Sequence, residues 1–229
     1  MIILSNISWL SVLIPWITGV IFRKNHNSLQ KAFWYFISFS TVFEGFAGYL
    51  ALNGIPNQFL FRGFLIIDLL FFTWFFYKIF TYPKLLKVAT ILIIIFAIVG
   101  EFVIVFSKYN PKFVALFYIL TFFYFVLQCR QALQNEFNKL DISPFSNYVF
   151  WIAAGRLIYY LFILFAFIYP SFISNVYINK LFGDSFTSIN SIANIILNLM
   201  YAASLYQNGS KTNFHKILAL RVNNHKFKK

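Results

Sequence analysis

Residues 58–80, QFLFRGFLIIDLLFFTWFFYKIF, are almost wholly apolar, with Arg62 and Asp68 as the charges in the body of the run and Lys78 near its end. At ~1.5 Å per residue a helix of this length spans roughly 35 Å, enough to cross a bilayer with some tilt. The stretch therefore reads as a membrane span. Lipid penalises an ionised side chain by ~2.5–3.5 kcal/mol even on the more lenient scale, so an acid and a base held there need partners or a wet cavity. Those partners belong on other helices.

The rest of the chain fits that reading. Of 229 residues, 60% are hydrophobic and only 11% charged, and 33 are Phe. Soluble domains carry about a quarter charged residues, and a soluble chain has no way to hide this much apolar surface. Seven hydrophobic segments are expected: 3–22, 31–52, 58–80, 85–107, 113–133, 146–168 and 185–207. Gly54, Pro56, Pro83, Pro111 and Pro144 punctuate the short connections. Spans three and four are joined tightly and should be antiparallel neighbours. Residues 169–184 are long enough for a small external cap. The N-terminal segment has no basic leader and no small-residue cleavage site, so it is expected to stay as the first span. The fold expected is all-α: an integral membrane bundle of seven transmembrane helices over residues 1–208, followed by a basic tail over 209–229.

Lys and Arg set the orientation. Fourteen of the nineteen lie in odd-numbered connections and the tail, three (Lys108, Lys112, Lys180) in even-numbered ones, and Arg62 and Arg156 inside spans. This bias puts the N-terminus outside and the C-terminus in the cytoplasm, in a multi-pass protein of the cytoplasmic (inner) membrane. The formal charge of +13 is then mostly the positive-inside rule, and it points to the lipid bilayer and its anionic headgroups as partners, not to nucleic acid. His26, His215 and His225 fall in cytoplasmic stretches without ligand spacing and are expected to be solvated. Cys129, the single cysteine, allows no intramolecular disulfide and reads as inert.

Depth follows from counting residues. From the outer end Arg62 lies roughly 6 Å deep, Glu101 roughly 9 Å, Glu44 roughly 12 Å and Asp68 roughly 15 Å, and Arg156 lies roughly 15 Å from the inner end. Arg62 should therefore meet Glu44 and Glu101 in the outer half, and Asp68 should meet Arg156 near the midplane. Arg62 and Asp68 stand roughly 120° apart on their helix and should not pair. In the last span Thr187, Asn190, Ser191, Asn194, Asn198 and Tyr201 recur at three- and four-residue intervals, which turns one polar face into the bundle. Asn194 and Asn198 there act either as hydrogen-bonding glue between helices or as ligand contacts. Gly45, Gly48, Ala47 and Ala51 permit close helix approach in span two. The five Trp are read as lipid contacts and interfacial anchors.

These buried groups fix helix register, or line a cavity open to the outside with Arg62 or Arg156 as an anion-binding group, or relay protons. The last span contains no lysine, which excludes retinal Schiff-base chemistry. No metalloprotease, serine-hydrolase or phosphate-loop motif is present, and no span contains a histidine. No metal ligand set and no cofactor are expected. A lipid-modifying acid/base pair of Asp68 with Glu44 or Glu101 stays open as an enzymatic alternative.

Three motifs carry a resemblance: FLIIDLLFF around Asp68, FWIAAGRLIYY with Phe150, Trp151, Gly155 and Tyr159, and ILNLMYA with Asn198 and Tyr201. In these, about a third of the chain is similar to the uncharacterised small seven-transmembrane-helix integral membrane proteins of Bacteroidota, which are often encoded beside sensor histidine kinases. The resemblance implies a sensory or membrane-accessory role and a sensor kinase as partner. The function expected is a receptor-like or sensory module that passes a signal to a separate partner. The alternative is a small transporter or channel with a polar midplane site.

Overall fold

A computed structural model describes residues 2–55, 57–80, 84–106, 111–138, 143–172 and 176–207. Eight α-helices account for nearly all of them: α1 (Ile2–Ser11), α2 (Leu13–Phe22), α3 (Ser28–Leu52), α4 (Gln58–Ile79), α5 (Lys84–Phe106), α6 (Pro111–Phe137), α7 (Tyr148–Phe172) and α8 (Val176–Tyr206). Among the described residues there is no strand. Each of the seven expected segments is helical. The basic tail, with His215 and His225, lies outside the described residues.

The expected first span is interrupted. Pro15 has no N–H to give the Ser11 carbonyl four residues back, so the α-helical ladder lapses at Val12, although Val12 keeps right-handed helical angles. Elsewhere the helices run longer than their hydrophobic cores. The expected cap over 169–184 is not a separate element, since α7 continues to Phe172 and α8 begins at Val176. At the end of α3 the chain stops in a left-handed cap: Gly54 has φ +70° and the Ile55 N–H reaches back to the Leu50 carbonyl at 2.9 Å.

The rods form a ring in chain order. Each of α2 to α8 touches the next, and α8 closes the ring against α1 and α2. Close approach is managed at glycines that composition did not single out. A Cβ at Gly19 would fall 1.9 Å from the Trp34 ring, and one at Gly155 would fall 2.9 Å from Met200 Cβ where α7 packs on α8. Gly48 faces Trp9, but Gly45 meets nothing within 4 Å, which corrects its expected role.

The interior is aromatic and polar, and the exterior is apolar. Phe33, Phe72, Phe75, Phe76 and Phe125 are fully buried, while Ile21, Val42, Leu52, Ile91 and Leu92 point outward and are exposed. Among the described residues two helices are long and apolar enough to cross a membrane, Leu4–Asn25 and Ser188–Tyr206, with shorter apolar helices at Leu86–Gly100 and Tyr148–Leu164.

Candidate functional site

Asp68 on α4 and Arg156 on α7 meet inside the ring. Arg156 donates from Nη1 to Asp68 Oδ1 at 3.0 Å and from Nη2 to Asp68 Oδ2 at 2.6 Å, a two-pronged ion pair with the side chains 9% and 3% exposed. Burial of this depth is tolerable because most of the pair's remaining hydrogen-bonding capacity is also used. Nη1 also donates to the Tyr201 hydroxyl at 3.1 Å, and Nη2 to the Tyr160 hydroxyl, which in turn donates to Asp68 Oδ2 at 2.6 Å. Four of the guanidinium's five N–H groups are thereby used, and the buried Nε is left without a partner. The flat cation lies 3.3 Å from the Phe72 ring centroid and 4.9 Å from that of Phe125, which adds cation–π attraction in a dry setting. Tyr160 stacks on Phe125 at 4.4 Å, so the hydroxyl that bridges acid and base is held by its ring.

The pair forms the floor of a cavity of about 300 Å³. Its wall climbs from Ile37 to Glu44 on α3, from Asp68 to Phe64 on α4, from Arg156 to Ile163 on α7 and from Tyr201 to Asn190 on α8. All four paths lead toward the end of the ring where α3 meets α4 and α7 meets α8. Below the floor, toward the α2–α3 end, Phe33, Phe72, Phe75 and Phe76 are fully buried.

The polar face of α8 divides its contacts. Asn198 Nδ2 donates to Ser11 Oγ at 2.8 Å and Asn194 Nδ2 to Ser8 Oγ at 3.2 Å, tying α8 to α1 beside the Val12 lapse. Ser11 Oγ itself donates to the Ser8 carbonyl at 2.6 Å. The same two asparagines also line the cavity.

Glu44 is half-buried on the cavity wall, and its carboxylate makes no hydrogen bond or ion pair among the described residues. The side chains of Arg62 and Glu101, its expected partners, lie outside the described residues. The expected anion-binding role of Arg156 meets a physical objection, because its charge is already balanced by Asp68 and its Nη hydrogens are taken. Cys129 is buried and free. No group of His, Cys, Asp and Glu suited to a metal ion occurs among the described residues.

Sequence reasoning missed several groups. Tyr160 was legible, one helical turn after Arg156. Less legible is a second network, in which Tyr124 on α6 bonds Thr90 of α5 at 2.6 Å and Gln128 Nε2 bonds Tyr124 at 2.6 Å and Thr73 of α4 at 3.2 Å. Glu136, buried near the end of α6, accepts a hydrogen bond from Asn147 Nδ2, while Asn147 Oδ1 caps α7 through the Val149 N–H. His26 is not solvated. It is 5% exposed, and Nε2 meets the Leu205 carbonyl at 2.7 Å while Gln30 Nε2 meets the carbonyls of Ser204 and Gln207. The start of α3 thus closes the end of α8. Burial, and secondarily Lys31, hold the His26 imidazole below its ordinary pKa, against the upward pull of the bond to Leu205.

Compared with protein-family models, with curated proteins and with solved structures, the chain matches none.

Proposed function

We propose that this chain is a receptor-like membrane module in which all seven helical rods cross the bilayer, N-terminus outside and C-terminus in the cytoplasm. Support comes from the inverted distribution of side chains, apolar outward and polar inward, and from the Lys/Arg bias. In this orientation the cavity opens toward the outer face, and the buried Phe33, Phe72, Phe75 and Phe76 lie on the cytoplasmic side of Asp68 and Arg156.

The observation that carries the functional reading is the cavity itself. It is walled by α3, α4, α7 and α8 over an ion pair whose bonds join three of them, so an occupant changes how those helices sit against one another. Occupancy shifts helix packing around Asp68, Arg156 and Asn198. The shift is then passed through the basic cytoplasmic face to a separate partner such as a sensor kinase, with anionic headgroups contacting the same face. The internally paired Asp68 and Arg156 at the inner end of the cavity, with buried phenylalanines beyond them, favour this reading over a through-channel or a lipid-modifying site.

Two experiments test it. Because Cys129 is buried, single cysteines introduced as Asn53→Cys and Ser146→Cys can be labelled selectively. An impermeant maleimide should reach the first in intact cells and the second only after permeabilisation; labelling of both from one side refutes the topology. Affinity purification from native membranes after brief crosslinking should recover a stoichiometric partner with a cytoplasmic kinase or regulatory domain. Recovery of the chain alone, with solute flux or lipid turnover, refutes the receptor reading.

A further inference from the structure

We infer that the cavity takes a small organic cation, a protonated amine carried on a compact apolar body. This deepens the proposal above and rests on its reading of the cavity as a ligand site.

Arg156 is balanced by Asp68 through both prongs of its guanidinium, so the floor is a closed, neutral pair. The titratable group left over is the Glu44 carboxyl, which lines the cavity with no hydrogen bond or ion pair among the described residues and is held ionised when an ammonium pairs with it. The polar atoms beside it include amide oxygens that accept, together with the Asn190 amide and the Tyr159 hydroxyl, which can donate or accept. Ser11 Oγ spends its hydrogen on the Ser8 carbonyl, so it can only accept from Asn198, which fixes Nδ2 toward Ser11 and leaves Oδ1 without a partner among the described residues. Asn194 likewise turns its Nδ2 to Ser8, and the Asn190 side chain makes no bond among the described residues. A carboxylate and amide oxygens ask for a donor with several N–H groups and a positive charge. Phe64 and Tyr159 add aromatic surface on the same wall, which suits both a cation and an apolar body.

The alternatives fit worse. An anion would meet the Glu44 carboxylate, while the charge of Arg156 is already balanced by Asp68. A bare metal ion needs a tight shell of about six or more oxygens, whereas this cavity, at about 300 Å³, is aromatic-lined and within the range of organic ligand sites.

Three probes of nearly the same shape test the inference: benzylamine, benzyl alcohol and benzoate, titrated calorimetrically into the full chain in amine-free detergent micelles. Benzylamine should bind about tenfold or more tightly than benzyl alcohol, as expected of a charge-assisted hydrogen bond in a sheltered site, with benzoate weakest. In Glu44→Gln the preference should collapse while benzyl alcohol still binds, which shows the cavity intact. If that variant fails to fold, Glu44→Asp should keep a reduced preference. Equal binding of amine and alcohol, or a preference that survives Glu44→Gln, overturns the cation assignment and leaves the cavity as a ligand site. Preference for benzoate overturns it in favour of Arg156. Failure of all three probes to bind overturns both readings.

Discussion

The floor and the wall of the cavity each hold a carboxylate, and the two are treated in opposite ways. Asp68 receives both prongs of Arg156 and the Tyr160 hydroxyl, whereas Glu44, on the next helix, receives nothing from any described residue. A fully bonded buried acid holds helices in register, and a bare one beside open volume is available to something else. Chemical type is the same in both cases; what separates a structural group from a binding group here is whether its hydrogen-bonding capacity is already filled.

The largest expected effect is at the floor. Asp68→Asn or Arg156→Gln strands one buried charge, and each should cost about 3–5 kcal/mol, read as unfolding in mixed detergent–SDS micelles. The double variant removes both charges and should recover much of that loss, which a double-mutant cycle reports as coupling. Simple addition of the two losses would break the comparison, because Asp68 would then be no better satisfied than Glu44.

The floor was also the part most legible in the sequence. An acid and a base in apolar helices demand partners, and counting residues from the span ends put Asp68 and Arg156 at one height. The helical rods were legible for the same reason, as apolar runs between Gly and Pro. What was not legible depends on rotation and on ends. Gly45 and Gly48 look alike in sequence, but only the side facing Trp9 is crowded. Glu136 was placed in a connection because apolarity ends near residue 133, while α6 runs to Phe137. His26 follows α2 in what reads as a loop, and only the return of the α8 end over it makes it buried. Arg62 and Glu101, the expected partners of Glu44, have side chains outside the described residues.

Between the extremes stands Asn198, with its amide nitrogen bonded to Ser11 and its oxygen making no bond among the described residues. Asn198→Ala should cost ~0.6–2 kcal/mol in the same unfolding assay, the range for hydrogen bonds between membrane helices. A loss as large as that of Asp68→Asn would mean that the α8–α1 seam, not the ion pair, holds the ring closed.

His26 sharpens the comparison in a titratable group. Its Nε2 must carry the hydrogen donated to the Leu205 carbonyl, and the buried Nδ1 has no partner. Its folded-state pKa lies below the ordinary 6.5 because burial disfavours the imidazolium. The unfolded chain therefore takes up the proton first, so this contribution to stability is complete above about pH 6.5 and is lost as pH falls below that value. The wild-type chain should lose stability between pH 7 and 5 relative to His26→Gln, measured as the difference in Tm across that range, by less than the Asn198→Ala loss. Parallel pH profiles for the two proteins would show that the bare Nδ1 costs nothing to protonate.

The smallest expected effect on stability is at the wall, and it tests the comparison most directly. Glu44→Gln keeps the shape of the side chain and removes a charge that makes no hydrogen bond or ion pair among the described residues. No bonded group is stranded by the change, and the cost of holding an unpaired carboxylate away from bulk water disappears. The empty protein should therefore unfold within about 0.5 kcal/mol of wild type, or slightly later, under the conditions in which Asp68→Asn fails. A loss of several kcal/mol would mean that Glu44 is held by a strong interaction after all, with Arg62 the first group to substitute in a second cycle.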